Sequence, residues 1–360
     1  MNRPIVLLVL LTNLFWTQAH ALSIFETTSS LQGATLQGLK FEAGLGLNVV
    51  LNQSGSGVLE TATIVQKPFD RAIVSWNGLT PTGTWLELSV RARIGSRWTT
   101  YYQLAKWSTD PALERRSYAS QSDADGFIDT DTLKLKSVAN AIQIRVRFLS
   151  QNRQSPKLNR LVLSSFSSRA AYTVRSVPSN RLAWGMDLVV PVRSQMIYPN
   201  GGEVWCSPTT ITMLLEYWGN RLGRNLADTV PQAVAAVWDK VYDGGGNWVL
   251  NTAYLGTKGL SAYVTRLDSL SQAEAYIRQG IPLVVSIKWK LGALQGAKLP
   301  SSNGHILLLR GFTKNGDPST NDPAGKTETK KDIVTVYNRT EFERAWIEHS
   351  GGVVYVVKPS

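Results

Sequence analysis

Val204-Trp205-Cys206-Ser207-Pro208-Thr209-Thr210 is the stretch on which the second half of this chain turns. An apolar run follows it through Trp218 and closes at Gly219-Asn220. Ser as cap, Pro at the first helical position and Gly past the end predict a helix here. Cys206 stands at its start, where free N–H groups and the macrodipole favour negative charge. A thiol in that place ionises more easily, and the thiolate is the nucleophilic form. The same N–H groups can hold the oxyanion formed when a thiolate attacks a carbonyl. Cys206 is the only cysteine, so no internal disulfide competes for it. The competing reading is a small buried residue that packs like Ala or Val.

A thiolate nucleophile needs a base, usually His, which later protonates the leaving group. Beyond residue 21 the chain offers His305 and His349. His305 lies in Ser301-Ser302-Asn303-Gly304-His305-Ile306-Leu307, at the head of an apolar strand that would hold the ring rigidly, with Gly304 leaving room for substrate. A core histidine satisfied by hydrogen bonds is the alternative. His349, in Glu348-His349-Ser350-Gly351-Gly352, reads as an exposed residue at a helix C-terminus. The base in turn needs an orienting acceptor. Asp322, in Thr320-Asn321-Asp322-Pro323-Ala324-Gly325, comes 17 positions after His305, and a turn around Lys314 to Asp317 would return it to the ring. Asn321 is the second candidate, and a plain turn is the third reading. Gln195 is the upstream candidate for an oxyanion donor, or else a polar loop residue.

Outward from this stretch the chain divides. Helices are expected over Pro231 to Val241, from the capping box Ser271-Gln272-Ala273-Glu274 to Gly280, and from Thr340-Glu341-Phe342-Glu343 onward. Strands are expected over Ile281 to Trp289, His305 to Phe312, Ile333 to Tyr337 and Val353 to Val357. Helices first and mostly strands later imply an α+β domain. The first half differs. Leu47 to Leu51, Arg71 to Trp76, Thr84 to Ala92, Ala141 to Phe148 and Leu158 to Leu163 read as strands, with clear period-two alternation in the third and fourth. That implies an all-β sandwich. The expected division is a signal peptide at 1–21, a β-sandwich accessory domain at 22–170, a linker at 171–184 and the α+β domain at 185–360. Asp243-Gly244-Gly245-Gly246-Asn247-Trp248 reads as a mobile edge to a substrate groove or as a flexible surface loop.

Gln195, then Cys206-Ser207-Pro208-Thr209, then Gly304-His305, then Asp322-Pro323 form an ordered set. In that order the chain, over roughly residues 185–358, resembles the catalytic domain of the double-glycine-leader peptidases. These are papain-like cysteine peptidases that mature bacteriocins, and the likeness is to their free-standing secreted relatives. The resemblance implies a papain-like fold with Gln195 as oxyanion donor, Cys206 as nucleophile, His305 as base and Asp322 as base-orienting carboxylate. It implies hydrolysis of a peptide or amide bond through an acyl-enzyme, with no metal or cofactor. The first half resembles the accessory sandwiches that precede secreted hydrolases. The same triad would serve a cell-wall amidase or an acyl transferase, and a non-catalytic envelope-binding protein is the further alternative.

Composition bounds the partners. With 43% hydrophobic and 18% charged residues, the chain is globular. Arg3, the apolar run Ile5 to Trp16 and Ala19-His20-Ala21 read as a secretory leader cut after Ala21, with a run too short to span a membrane; an uncleaved N-terminal anchor is the alternative. The expected location is secreted, periplasmic or at the cell envelope. The formal charge of +12 becomes +11 without the leader, whose one charged residue is Arg3. Such a surface would attract an anionic envelope polymer or acidic glycan, through the β-domain, or serve only to keep the protein in solution, while the substrate would be a peptide or cell-envelope peptide. Dispersed Lys and Arg argue against nucleic acid. Twelve Trp suit grooves that bind sugars or peptides.

Overall fold

Thr84–Ile94 shows how the first half is built. Leu86, Leu88, Val90 and Ala92 are fully buried, while Glu87 and Arg91 between them stay half-exposed, so the strand has one dry face. The computed structural model describes residues 20–44, 46–53, 55–168, 179–348 and 350–360. The first half is all-β. Its strands hydrogen-bond into one continuous antiparallel network. Two long strands make the continuity, Ile64–Leu79 and Thr132–Ser150. The second pairs first with Ile64–Leu79 and Gly126–Asp129, then with Ser56–Glu60 and Thr84–Ile94. Trp76 and Trp107 meet edge-on in its core, 6.4 Å between centroids. Each strand expected here is present, several of them longer than predicted. Of the leader expected over 1–21, only His20 and Ala21 fall within the described residues, at the start of strand His20–Phe25.

The second half has helices α1 (Cys206–Leu222), α2 (Val230–Val237), α3 (Trp248–Thr257) and α4 (Leu270–Arg278). They accompany a six-stranded antiparallel sheet in the order Leu260–Arg266, Val353–Pro359, Leu283–Trp289, Ser302–Phe312, Pro318–Asn321, Val334–Val336. α1 is buried along most of its length, and the Thr210 hydroxyl donates to the Ile306 carbonyl at 3.1 Å, tying helix to sheet. Among the described residues no helix is long and apolar enough to cross a membrane.

Several boundaries differ from the sequence reading. α1 starts at Cys206 itself and ends at Gly223, whose φ of 63° makes the left-handed break. Gly219 stays helical, packed against the Arg224 carbonyl. α4 is capped by Ser269 rather than Ser271, and Glu274, expected in a capping box, is buried instead. It accepts from the Ser179 hydroxyl (2.9 Å), the Asn180 N–H (2.5 Å) and the Trp184 indole (2.9 Å). The end of the expected 171–184 linker is therefore packed structure, because a buried carboxylate needs donors. Residues 169–178, which include most of the expected linker, lie outside the described residues, as does His349. α3 and strand Leu260–Arg266 are elements that the sequence reading does not contain.

These two unexpected elements face the first half. The Asn77 amide, 4% exposed, donates to the Ala262 carbonyl (2.8 Å) and accepts from the Ala262 N–H (3.1 Å). The Val264 N–H donates to Ser75 Oγ at 3.2 Å. A Cβ on Gly256 of α3 would come within 2.6 Å of the Asn77 side chain, so glycine permits this approach.

Candidate active site

Cys206 opens α1, preceded by Trp205, which supplies no side-chain cap. The first N–H groups of the helix are thus left for another acceptor. Gly201, at φ 97°, turns the chain so that the Trp205 indole packs over it. Cys206 is partly exposed. Burial disfavours its thiolate most, but hydrogen bonding and charge from His305 and the N–H groups of Ile306 and Ser207 together hold the thiol below its ordinary pKa.

His305 lies in strand Ser302–Phe312, opposite Ile287, and is 2% exposed. Its Nε2 is 2.8 Å from Asp322 Oδ1. That leaves Nδ1 as the ring nitrogen available to Cys206, whose neighbourhood is felt in the ring's pKa. Trp289 meets the ring edge-on at 5.9 Å and fixes its plane. Burial opposes the imidazolium, yet the Asp322 charge and hydrogen bond, followed by Cys206, raise the His305 pKa well above its ordinary value.

Asp322 follows directly after strand Pro318–Asn321 and is 1% exposed. Burial works against its carboxylate. Against that, His305, the Tyr337 hydroxyl at 2.6 Å and the Ala324 N–H at 2.9 Å hold its pKa below the usual carboxylate range. Asn321 points elsewhere. Its amide oxygen accepts from Arg310 at 3.0 Å and its nitrogen donates to the Pro191 carbonyl at 2.8 Å. Neighbouring residues in a strand face opposite ways, so only one of the two can reach the ring.

Gln195 is buried, and its backbone N–H donates to the Pro323 carbonyl at 2.8 Å, joining its loop to the Asp322 turn. Its Nε2 donates one N–H to the Gly202 carbonyl at 2.8 Å, leaving a second N–H. The structure thus brings Cys206, His305 and Asp322 together, with His305 bonded to Asp322, and links Gln195 to the Asp322 turn. Tyr337 and Trp289 join the site without having been singled out in the sequence. Neither carries a local signal, since each acts through a neighbour brought in by the sheet. The arrangement can hold a thiolate beside an imidazolium, with helix-start N–H groups close to the sulfur.

Two family models match the chain. Residues 23–165 match the Peptidase C39 N-terminal domain and residues 187–354 match the Peptidase_C39 like family. Among solved structures, a Bacillus anthracis protein described as a C39-like peptidase is 16% identical, covering 48% of this chain and 98% of its own, with a TM-score of 0.31. The CBM35 of Paenibacillus barcinonensis is 17% identical, covering 39% of this chain and 96% of its own, with a TM-score of 0.21. A family 6 carbohydrate-binding module from Clostridium cellulolyticum is 12% identical, covering 39% and 94%, with a TM-score of 0.23. No curated protein matches the chain. Over residues 187–354 the chain is thus similar to the Peptidase_C39 like family, and over residues 23–165 to the Peptidase C39 N-terminal domain.

Proposed function

We propose that this chain is an exported cysteine peptidase that cleaves a peptide or amide bond through Cys206, His305 and Asp322. The observation that carries the reading is His305, held by Asp322 at 2.8 Å and so near Cys206 that it lowers the thiol's pKa while its own is raised. The Cys206 thiolate attacks the carbonyl carbon, and electrons move onto the oxygen. The Ser207 N–H, beside the sulfur, and the second Gln195 N–H hold that oxyanion. The His305 imidazolium gives its Nδ1 proton to the departing amine, leaving an acyl-thioester. Neutral His305 then takes a proton from water, whose oxygen attacks the thioester and releases the acid and the thiolate. Asp322 keeps the ring oriented and stabilises its charged form.

The finer fold reading goes with this. α1 against the sheet corresponds to a papain-like domain, and the first half to a β-sandwich preceding it. Export follows from the leader at 1–21, and the substrate is a peptide of the cell envelope or its surroundings. Exposed apolar side chains on segments flanking Cys206, namely Met196, Ile197, Val204, Val241 and Tyr242, suit an extended peptide. The first half is the proposed contact for an anionic polymer. An outward cavity of about 450 Å³ there is lined by Gln37, Glu60, Arg145 and Arg147 among others. The Arg145 guanidinium lies 3.7 Å from the centre of the Tyr101 ring.

Alkylation by iodoacetamide across pH 4 to 9 tests the site. An ordinary thiol of pKa ~8.5 is only about 1% thiolate at pH 6.5, so wild type should react about 100-fold faster there than His305→Ala. Equal rates that follow an ordinary thiol titration would sink the peptidase reading.

A further inference from the structure

The segment between α2 and α3 is anchored by the other half of the molecule. Asp239 is fully buried. Its Oδ1 accepts the N–H of Val241 (3.0 Å), of Tyr242 (3.2 Å) and of Ser117 (3.0 Å), the last from the N-terminal strand Arg116–Ser117. Its Oδ2 accepts from the Asn247 amide at 2.7 Å. The Lys240 N–H donates to the Arg115 carbonyl at 3.0 Å. At the far end of the segment, Asp131 enters from the turn before strand Thr132–Ser150. Its Oδ2 accepts the N–H of Trp248, the first residue of α3, at 2.9 Å. Thr130, just before it, holds φ at 55°, a conformation rare for a β-branched residue. Such strain persists only where surroundings over-determine it. Arg115, Ser117 and Asp131 therefore grip both ends of a glycine-rich segment that belongs to the second half.

That segment reaches the candidate site. A Cβ on Gly245 would lie 3.1 Å from Pro208, two residues after Cys206. Tyr242 is half-exposed, and burial first, then the charges of Cys206, Asp131 and Asp239, raise its phenol above the ordinary value. Tyr242 packs by Gly244 and Gly246, on either side of the glycine that lies against Pro208, so it stands on the stretch of the segment that reaches the start of α1.

We propose that the N-terminal half is a working part of the site, with Asp131 and Asp239 as positioning residues. They hold residues 239–247, and Tyr242 with them, as one wall of the cleft that receives substrate over Cys206. The cleft's being a peptide cleft rests on the function proposed above. The wall itself does not. A first half that merely tethers the protein elsewhere would not need two buried carboxylates committed to this segment. The other oxygen of Asp131 takes the hydroxyl of its own neighbour, Thr132, at 3.0 Å, so the carboxylate's reach across the halves is to α3.

Two thiol reagents of different size read the wall in the full chain. Iodoacetamide is small and reports on the Cys206–His305 pair. The aromatic disulfide 5,5′-dithiobis(2-nitrobenzoate) is bulky and must pass the wall. In Asp131→Ala the ratio of the bulky to the small reagent's rate at pH 6.5 should rise at least fivefold. Asp131→Asn keeps an oxygen for the Trp248 N–H and should stay within twofold of wild type. Tyr242→Ala, at a half-exposed position that burdens folding little, should raise the ratio as well. Should Asp131→Ala fail to fold, Asp131→Ser, which shortens the anchor but leaves a polar group in the turn, takes its place. A ratio within twofold of wild type in the shortened variant overturns the positioning role. An unchanged ratio in Tyr242→Ala overturns the wall, and an equal change in both rates, which general loosening would give, overturns both. The ratio can be read on any accessible thiol, so an ordinary titration in wild type would sink the peptidase reading and leave this test standing.

Discussion

At His305 the two ring nitrogens have separate tasks, and both depend on Asp322. Burial alone would keep the ring neutral, so it is the carboxylate at 2.8 Å that makes an imidazolium tenable beside the thiol. Removing one partner of such a buried pair costs about 3–5 kcal/mol. Asp322→Asn should lose roughly that much stability, and its iodoacetamide rate at pH 6.5 should fall toward that of His305→Ala. The pH dependence has a definite sign. The Asp322 pKa is depressed on folding, so its contribution is present above the unfolded value of about 3.9 and lost as pH falls through the folded one. The His305 pKa is raised, so its contribution is complete below about 6.5 and lost as pH rises through the folded value. The stability gap between wild type and Asp322→Asn should therefore be widest between about pH 4 and 6.5. Melting temperatures across pH would show it, and a gap that grows steadily toward pH 9 would contradict it. Cys206, His305 and Asp322 are legible in the sequence as candidates because a reactive thiol calls for a base and the base for an acceptor. Tyr337, which donates to Asp322, is not, because nothing local in Tyr337 points to a residue 15 positions back.

Among the elements, α3 is the instructive failure. Asp243-Gly244-Gly245-Gly246-Asn247-Trp248 reads as a loop, and the helix that begins with its last residue escapes that reading. Asn247 caps that helix, its Oδ1 accepting from the N–H of Val249 at 3.1 Å and of Leu250 at 3.2 Å. An N-cap of this kind contributes about 1 kcal/mol, and the bond to Asp239 adds about 1.5–3 kcal/mol for a charged acceptor. Asn247→Ala should thus destabilise the chain by roughly 2–4 kcal/mol, read as a lower denaturant midpoint. A shift worth only a few tenths of that would mean the segment is held elsewhere. The α1 frame is visible from Pro208 and the downstream glycines, yet its start is displaced by two residues, from Pro208 to Cys206. Cys206 itself has helical pairing, which leaves the thiol at the very head of the helix. The regular strands are visible wherever one face is wet, as in Thr84–Ile94. Leu260–Arg266, buried at every position, has no such alternation to reveal it.

At the scale of the whole molecule, the two halves meet where α3 and Leu260–Arg266 pack on Ile64–Leu79 and where Arg115, Ser117 and Asp131 hold the segment between α2 and α3. The outer face of the first half stays free of that contact and carries the arginine cavity. There Arg145 shares Glu60 with Arg91, and both guanidinium groups lie over Tyr101. One carboxylate between two fixed cations leaves a surplus of positive charge for an acidic glycan. Affinity electrophoresis in polygalacturonate should retard the wild type, and Arg145→Gln with Arg147→Gln should migrate several-fold less retarded. Retardation unchanged by that pair, or equal in a neutral polymer, would remove the proposed partner site.

Residue types and their spacing were enough to determine the division into an all-β half and a half of helices and sheet, and to single out Cys206, His305 and Asp322 as the candidate site residues that the structure brings together. Each follows from local pattern or from the chemistry that a single thiolate demands. Only the tertiary structure decided that Asn321 turns away while Asp322 faces the ring, that Glu274 is buried among donors from the expected linker, and that Asp131 caps a helix 117 residues downstream. Contacts at such separation are set by how two sheets and a helix pack. No periodicity along the chain records which turn of one half will meet which helix of the other.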